Sequence, residues 1–251
     1  MFKNAVLNGD ILKGTWQRIP STAVSEVLAL SGFDFVTVDM EHGMLDISDL
    51  RGMIPAFKSR KVPVVVRISS REPALISKVL DMGADGIMAP QIQSVDEVRE
   101  IVRASKYAPL GMRGMGMLCT ADDYGNLSPQ DFAQQANDQV LTIVQIETVE
   151  AVEQLDQLLD VEGVDLFYVG PFDLSQALGI LGQMDHPLLT ETIQRVVDAV
   201  KKKGKAVGMH GSSPEFIRYW RERGVGYFTY GVDLAFLKHG AQIAFHETNF
   251  K

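Results

Sequence analysis

The sequence predicts one (β/α)8 TIM barrel over residues 1–251, and three features predict it. Eight short apolar runs recur along the chain, with helical patterns between them. The runs are apolar at consecutive positions, as in parallel strands covered on both faces. No Pro- or Ser-rich linker divides the chain, and its 46% hydrophobic content suffices for one large core.

The elements follow in order. Strand one closes with Gly14-Thr15-Trp16, and a helix over 21–30 follows, with Pro20 or Ser21 at its start. Strand two covers 33–38 and runs into Asp39-Met40-Glu41-His42-Gly43, ahead of a helix over 47–58. Strand three, 62–66, ends in Arg67 and leads to a helix over 72–81. Strand four, 86–89, precedes Pro90 and a helix over 95–105. An excursion over 109–138 then breaks the alternation between helix four and strand five. It carries Gly111, Gly114, Gly116, Gly125 and Pro129, and long inserts of this kind are often functional. Strand five, 141–146, ends in Glu147, and a helix over 148–159 follows. Strand six, 164–169, gives way to Gly170-Pro171-Phe172-Asp173. Strand seven, 205–209, ends at His210. Strand eight, 226–230, ends at Gly231, and a last helix reaches Phe245. The period is architectural, with no self-similar repeat beneath it.

Composition removes several function classes. No apolar run approaches the roughly 18 residues of a membrane span. Asp10 and Lys13 interrupt the first apolar residues, so no signal-peptide core is present, and the expected compartment is the cytoplasm. A single cysteine, Cys119, excludes an internal disulfide framework and a cysteine zinc cluster. The net charge of −8 argues against a nucleic-acid surface. The one basic run, Lys201-Lys202-Lys203 with Lys205, falls at a predicted helix end, where it complements the helix dipole.

The stretch 141–173 organises the chemistry. It reads as strand, helix, strand, with an acid after each strand. A right-handed crossover makes the strands parallel, and neighbouring strands lie roughly 5 Å apart. Glu147 and Asp173 can therefore converge on one cation. Each acid alone also suits the start of a helix. The other strand ends present Trp16, His42, Arg67, Gln145 and His210, a dense polar set on the face where such barrels hold their active sites. No strand ends in a lysine that could form a Schiff base, and the glycines at 111, 114 and 116 lack the dinucleotide spacing. Cys119 shows no nucleophile context. Two carboxylates bind Mg²⁺ or Mn²⁺ and leave most oxygen sites to water and a chelating substrate such as a 2-oxo acid. The ion then acts as a Lewis acid on an enolate. An arginine stabilises the same oxyanion, and a histidine near neutral pKa moves the proton. Arg67 and His42 are available for these tasks.

The motifs Asp39-Met40-Glu41-His42, Val65-Val66-Arg67, Leu80-Asp81-Met82-Gly83-Ala84, Gly111-Met112-Arg113-Gly114, Val144-Gln145-Ile146-Glu147-Thr148, Gly163-Val164-Asp165 and Gly170-Pro171-Phe172-Asp173-Leu174-Ser175 carry a resemblance. From about Gly14 to Gly231 the chain resembles the class II pyruvate-dependent aldolases of the HpcH/HpaI type, which include 2-keto-3-deoxy sugar acid and 4-hydroxy-2-oxoheptanedioate aldolases. The resemblance implies a divalent metal (Mg²⁺, Mn²⁺ or Co²⁺) on Glu147 and Asp173. It implies His42 as acid/base, oriented by Asp81, and Arg67 polarising the keto oxygen. Gln145 is then a substrate contact, the amides around Phe172 and Asp173 hold the carboxylate, and Asp39 is supporting. It also implies a homo-hexamer of dimers that exchange their last helix.

The expected reaction cleaves a 4-hydroxy-2-oxo acid to pyruvate and an aldehyde, or runs in reverse. The partners are small molecules, with no nucleic acid and no membrane. One alternative keeps the enolate but uses oxaloacetate, as a decarboxylase or citrate-synthase-like enzyme. Another is a barrel that only binds, with Gly211-Ser212-Ser213 as a phosphate site. Three departures from the family bear on the acceptor: Phe172, His210, and Thr120-Ala121-Asp122-Asp123-Tyr124 in place of excursion arginines. They lead to the expectation that short, neutral, hydroxylated aldehydes are preferred over carboxylated ones.

Overall fold

The computed structural model describes residues 2–248. Its eight strands close into an all-parallel barrel in sequence order. They are β1 (Leu12–Gln17), β2 (Phe35–Asp39), β3 (Val64–Arg67), β4 (Gly86–Ala89), β5 (Leu141–Ile146), β6 (Leu166–Val169), β7 (Ala206–Gly211) and β8 (Tyr227–Val232). Every strand of the expected barrel is present. Phe33 and Asp34 precede β2 because Asp34 is an anchor: its carboxylate accepts from the Lys13 amide at 2.7 Å. Val164 and Asp165 likewise precede β6, with Asp165 accepting from the Thr142 amide at 2.8 Å.

The strands bury both faces, which is why they read as apolar runs. One set of side chains fills the barrel: Trp16, Phe35, Val65, Met88, Ile143, Leu166, Tyr168 and Tyr227. Phe35 stacks on Tyr227 with ring centroids 4.1 Å apart. That stack explains Gly14, since a Cβ there would come within 2.3 Å of the Phe35 ring. The larger apolar layer lies between the sheet and the surrounding helices.

The helices run back along the outside. They are α1 (Phe2–Leu7), α2 (Thr22–Leu30), α3 (Leu50–Ser59), α4 (Pro73–Asp81), α5 (Val95–Ser105), α6 (Pro129–Gln139), α7 (Val149–Glu153), α8 (Leu155–Leu159), α9 (Pro171–Ala177), α10 (Pro187–Lys202), α11 (Pro214–Arg221) and α12 (Asp233–Glu247). Ser94 and Glu97 form a reciprocal capping box at the start of α5. The helix expected over 148–159 is two, α7 and α8, interrupted at Gln154. Two helices were not expected. The first, α1, closes the N-terminal end of the barrel, with Phe2 against Phe35 and Tyr227. The second, α6, occupies the excursion. Ser128 caps it and Pro129 opens it, but its polar run Gln134-Gln135-Ala136-Asn137-Asp138 hides the helical period. The long α12 lies apart from the apolar layer. Asp233 ties its start to the Arg18 and Ile19 amides at 3.0 and 2.8 Å, while Leu237 and Phe245 further along are 65% and 70% exposed.

Candidate active site

The C-terminal ends of the strands surround a cavity of about 470 Å³. Its geometry begins with Asp39, the last residue of β2. Register places Asp39 opposite Arg67 at the end of β3. The pair is bidentate, with Arg67 Nε 2.8 Å from Oδ1 and Nη2 2.7 Å from Oδ2. Arg18 adds a third donor, Nε to Oδ2 at 2.7 Å. The Glu41 and His42 amides also donate to Oδ1, each at 3.2 Å, and this turn aims His42 at the cavity. Burial pushes the Asp39 carboxyl up, but the Arg67 hydrogen bonds and the Arg67 and Arg18 charges outweigh it and hold it below the usual range. The Arg67 guanidinium also sits 4.4 Å from the centre of the Trp16 ring and 2.9 Å from Glu41 Oε2. A guanidinium so held is a fixed charge.

Glu147 follows β5 and is 2% exposed. Its Oε1 accepts from the Gln91 amide at 2.7 Å and its Oε2 from Gln145 Nε2 at 2.9 Å. Gln91 delivers that amide from a left-handed backbone, φ 53°, uncommon for a non-glycine residue. Gly170 is needed beside it, because a Cβ would fall 2.5 Å from Glu147 Oε2. Burial is the main force raising the Glu147 pKa, to about 7; the neighbouring Asp173 and Glu41 charges add to it, against the Gln91 amide and Arg67. Asp173 lies in the first turn of α9, half-buried, at the cavity wall.

A divalent cation fits this donor set. Glu41, Glu147 and Asp173 gather negative charge that Arg67 alone does not balance. Gln145 Oε1 is buried without a hydrogen-bond partner beside Glu147. Two carboxylates would leave most positions around a hard cation to water and substrate oxygens.

Most of the expected site converges. Trp16, His42, Arg67, Gln145, Phe172, Asp173 and His210 all line the cavity, and Glu147 lies directly behind Gln145 and Gly170. Phe172 sits at the mouth, 57% exposed. Asp81 is the exception. A helix after a strand runs back toward the opposite end of the barrel, so the last residue of α4 is remote from the strand ends of the same chain. There Asp81 accepts from Arg113 Nη2 at 2.5 Å, and no hydrogen bond joins it to His42. Among the described residues the one carboxylate within 4 Å of the His42 ring is Glu41, at 3.9 Å, and the side chain is 48% exposed.

The excursion aspartates do not reach the cavity either. Asp122 accepts from the Leu118 and Cys119 amides at 2.9 and 2.8 Å, and Asp123 lines a separate cavity with Lys58 and Asp85. Within one chain, their charge therefore does not border the cavity. Ser213, offered as part of a phosphate site, is engaged in capping α11 through the Phe216 amide. Ser212, offered with it, does line the cavity, while sequence reading missed Arg18, Tyr168 and Met184, which line it too. Arg18 was legible as the residue two beyond the inward-facing Trp16, and Tyr168 as two beyond the inward-facing Leu166.

Fold and site together define a barrel of the enzyme type, with its polar cavity at the C-terminal ends of the strands. The chain belongs to the HpcH/HpaI aldolase/citrate lyase family, whose model matches residues 13–239. It is 34% identical over 242 residues to a hydroxypyruvate/pyruvate aldolase of Roseovarius nubinhibens, covering 96% of this chain and 93% of that one. It is 36% identical over 241 residues to a 4-hydroxy-2-oxo-heptane-1,7-dioate aldolase of Escherichia coli, covering 96% and 92%. The fold superposes with a TM-score of 0.92, at 32% identity and 99% coverage of both chains, on a family protein from Burkholderia cenocepacia.

Proposed function

We propose that this protein is a divalent-metal-dependent aldolase that interconverts a 4-hydroxy-2-oxo acid with pyruvate and an aldehyde. The observation that carries the reading is the buried, acid-rich pocket around Glu147, whose surplus negative charge faces one rigid guanidinium. The names of the two relatives support an aldolase acting on pyruvate or a 4-hydroxy-2-oxo acid. Glu147 and Asp173 would hold the ion. Bound there, a divalent ion supplies a Lewis acid beside the 2-oxo group. Mg²⁺, Mn²⁺ and Co²⁺ all suit the oxygen donors.

The chain's own residues supply the rest. Arg67 stabilises negative charge on the C2 oxygen as a proton leaves C3, and it needs no reorganisation because Asp39 already holds it. His42 relays that proton. In the synthetic direction C3 then bonds to the aldehyde carbon, and the aldehyde oxygen gains a proton. Cleavage reverses each step. Gln145 and the amides around Phe172 and Asp173 orient the substrate. The exposed apolar length of α12 supports a homo-oligomer, a hexamer of dimers that cover this helix. Asp81 can orient a His42 only across a boundary between copies.

An aldehyde screen with pyruvate and Mn²⁺ or Mg²⁺, read by mass spectrometry, tests the activity. Adducts that form only with metal support it. Faster release of pyruvate from oxaloacetate than of any aldol product would favour the oxaloacetate reading instead.

A further inference from the structure

His210 ends β7 in the wall of the cavity, and its neighbours fix where its proton sits. Trp16 Nε1 can only donate, and it lies 2.8 Å from Thr229 Oγ1 and 3.2 Å from His210 Nδ1. Thr229 Oγ1 lies 3.1 Å from the same Nδ1 and also contacts the Tyr168 hydroxyl. Tyr168 is 1% exposed, and its hydroxyl meets only Thr229 among the described residues. One arrangement uses every buried hydrogen. Tyr168 and Trp16 donate to Thr229 Oγ1, and Thr229 donates to His210 Nδ1. The imidazole proton is then on Nε2. The opposite tautomer would set Nδ1–H against the indole N–H and leave the Tyr168 hydrogen without an acceptor, a costly omission at a buried site.

A doubly protonated ring meets the same conflict. Burial, with the Arg18 and Arg67 charges, pushes the His210 pKa down to about 4, so the ring is uncharged at neutral pH. No hydrogen bond within the described residues uses Nε2. The remaining side-chain donors of the wall differ: Arg67 and Arg18 are charged and held by Asp39, Gln145 Nε2 is committed to Glu147, and His42 and Ser212 stand exposed without a fixed partner for their side chains among the described residues. His210 is therefore the rigid neutral donor among them.

We propose that His210 is a specificity-determining residue whose fixed Nε2–H donates to an uncharged oxygen of the aldehyde, so that hydroxyl-bearing aldehydes are taken over aliphatic ones of equal size. The inference rests on the aldolase reading. A neutral donor rewards a hydroxyl, gives nothing to a methyl, and brings no charge to attract a carboxylate.

Glycolaldehyde and propanal test it, since they exchange a hydroxyl for a methyl at nearly constant size. The ratio of their kcat/KM values with pyruvate should favour glycolaldehyde in the wild type and fall about tenfold in His210→Leu, the worth of one hydrogen bond. His210→Gln, which can place an amide N–H near the lost Nε2–H, should keep most of the preference. An unchanged ratio in His210→Leu would overturn the proposal, as would a wild type that takes propanal equally well. Turnover of neither aldehyde, nor of any other, would sink the aldolase reading and this proposal with it. Independently of activity, ¹⁵N NMR of histidine-labelled enzyme should show His210 with Nε2 protonated and Nδ1 bare at pH 7. A protonated Nδ1 would overturn the assignment.

Discussion

The two ends of the barrel treat buried charge in opposite ways. At the N-terminal end, Lys3 lies 2.8 Å and Lys106 3.7 Å from Asp165, and both lysines also reach the Asn137 and Val140 carbonyls. One surplus positive charge is thus spread over backbone oxygens, and α1 closes that end. At the C-terminal end, Asp39, Glu41, Glu147 and Asp173 share Arg67 and Arg18, leaving a negative surplus. There the surplus borders an open cavity, and Gln145 Oε1 has no partner. One end is internally satisfied; the other keeps unanswered charge that the proposed cation and substrate would meet. Burial alone therefore does not mark a functional site. Unanswered charge does.

The largest expected effect comes from removing that answer. Chelation, or Glu147→Gln, should reduce aldol turnover to background. Mg²⁺ or Mn²⁺ should raise the Tm of the wild type and not of the variant. Full activity after chelation, or a borohydride-trapped adduct with pyruvate, would break the comparison by showing that another electron sink serves.

Next come the two groups proposed to act in enolisation, His42 on the C3 proton and Arg67 on the C2 oxygen. His42→Ala should lower kcat by roughly 10²–10⁴-fold with little change in stability, because the side chain is half exposed. Arg67→Ala should slow C3 exchange of pyruvate in D₂O by about 10²–10³-fold. It should also cost on the order of 3–5 kcal/mol in urea unfolding, since it strips a buried partner from Asp39. Wild-type exchange in either variant would remove that residue from the mechanism.

A smaller effect separates the ends by pH. The Glu147 pKa rises from an ordinary 4.5 to about 7 in the fold. Between these values the unfolded chain has lost a proton that the folded chain keeps. Stability of the metal-free protein therefore falls as pH rises through this window, by about 2–3 kcal/mol at most. Unfolding midpoints from pH 4.5 to 7.5 should show the decline in the wild type and lose it in Glu147→Gln. A rise over the same range would reverse the assignment of charge.

The smallest effect belongs to the satisfied end. Burial pushes the Lys106 amine down to about 8, against the Asp165 charge. Lys106→Met keeps the Lys3–Asp165 pair and should change stability by no more than about 1 kcal/mol in either direction. Its kcat/KM should stay within twofold of wild type, by the additivity of distant sites. A large loss of activity would join the two ends.

The same contrast explains what the sequence could tell. Strand ends were legible because an apolar run followed by Arg67, Glu147 or His210 is a local pattern. So was the placement of Glu147 and Asp173 after the paired strands β5 and β6, through the handedness of one crossover. Asp81 pairs with His42 by resemblance, and within one chain it closes a helix that returns to the far end of its own barrel. Direction along an element shows that, and spacing does not. The α1 plug was missed because only six residues form it and no capping signal marks its start. The direction of the excursion aspartates was not legible, because Asp122 turns inward to accept amides within its own loop.

Asp233 gives α12 a mechanical role. Its carboxylate grips the amides of Arg18 and Ile19, and the Arg18 side chain grips Asp39, which fixes Arg67. The protruding helix is therefore a lever whose short arm ends in the catalytic cavity. Any body resting on its exposed length bears on the guanidinium clamp by three consecutive hydrogen-bonded links, and a chain cut before Asp233 would lose the fulcrum as well as the arm.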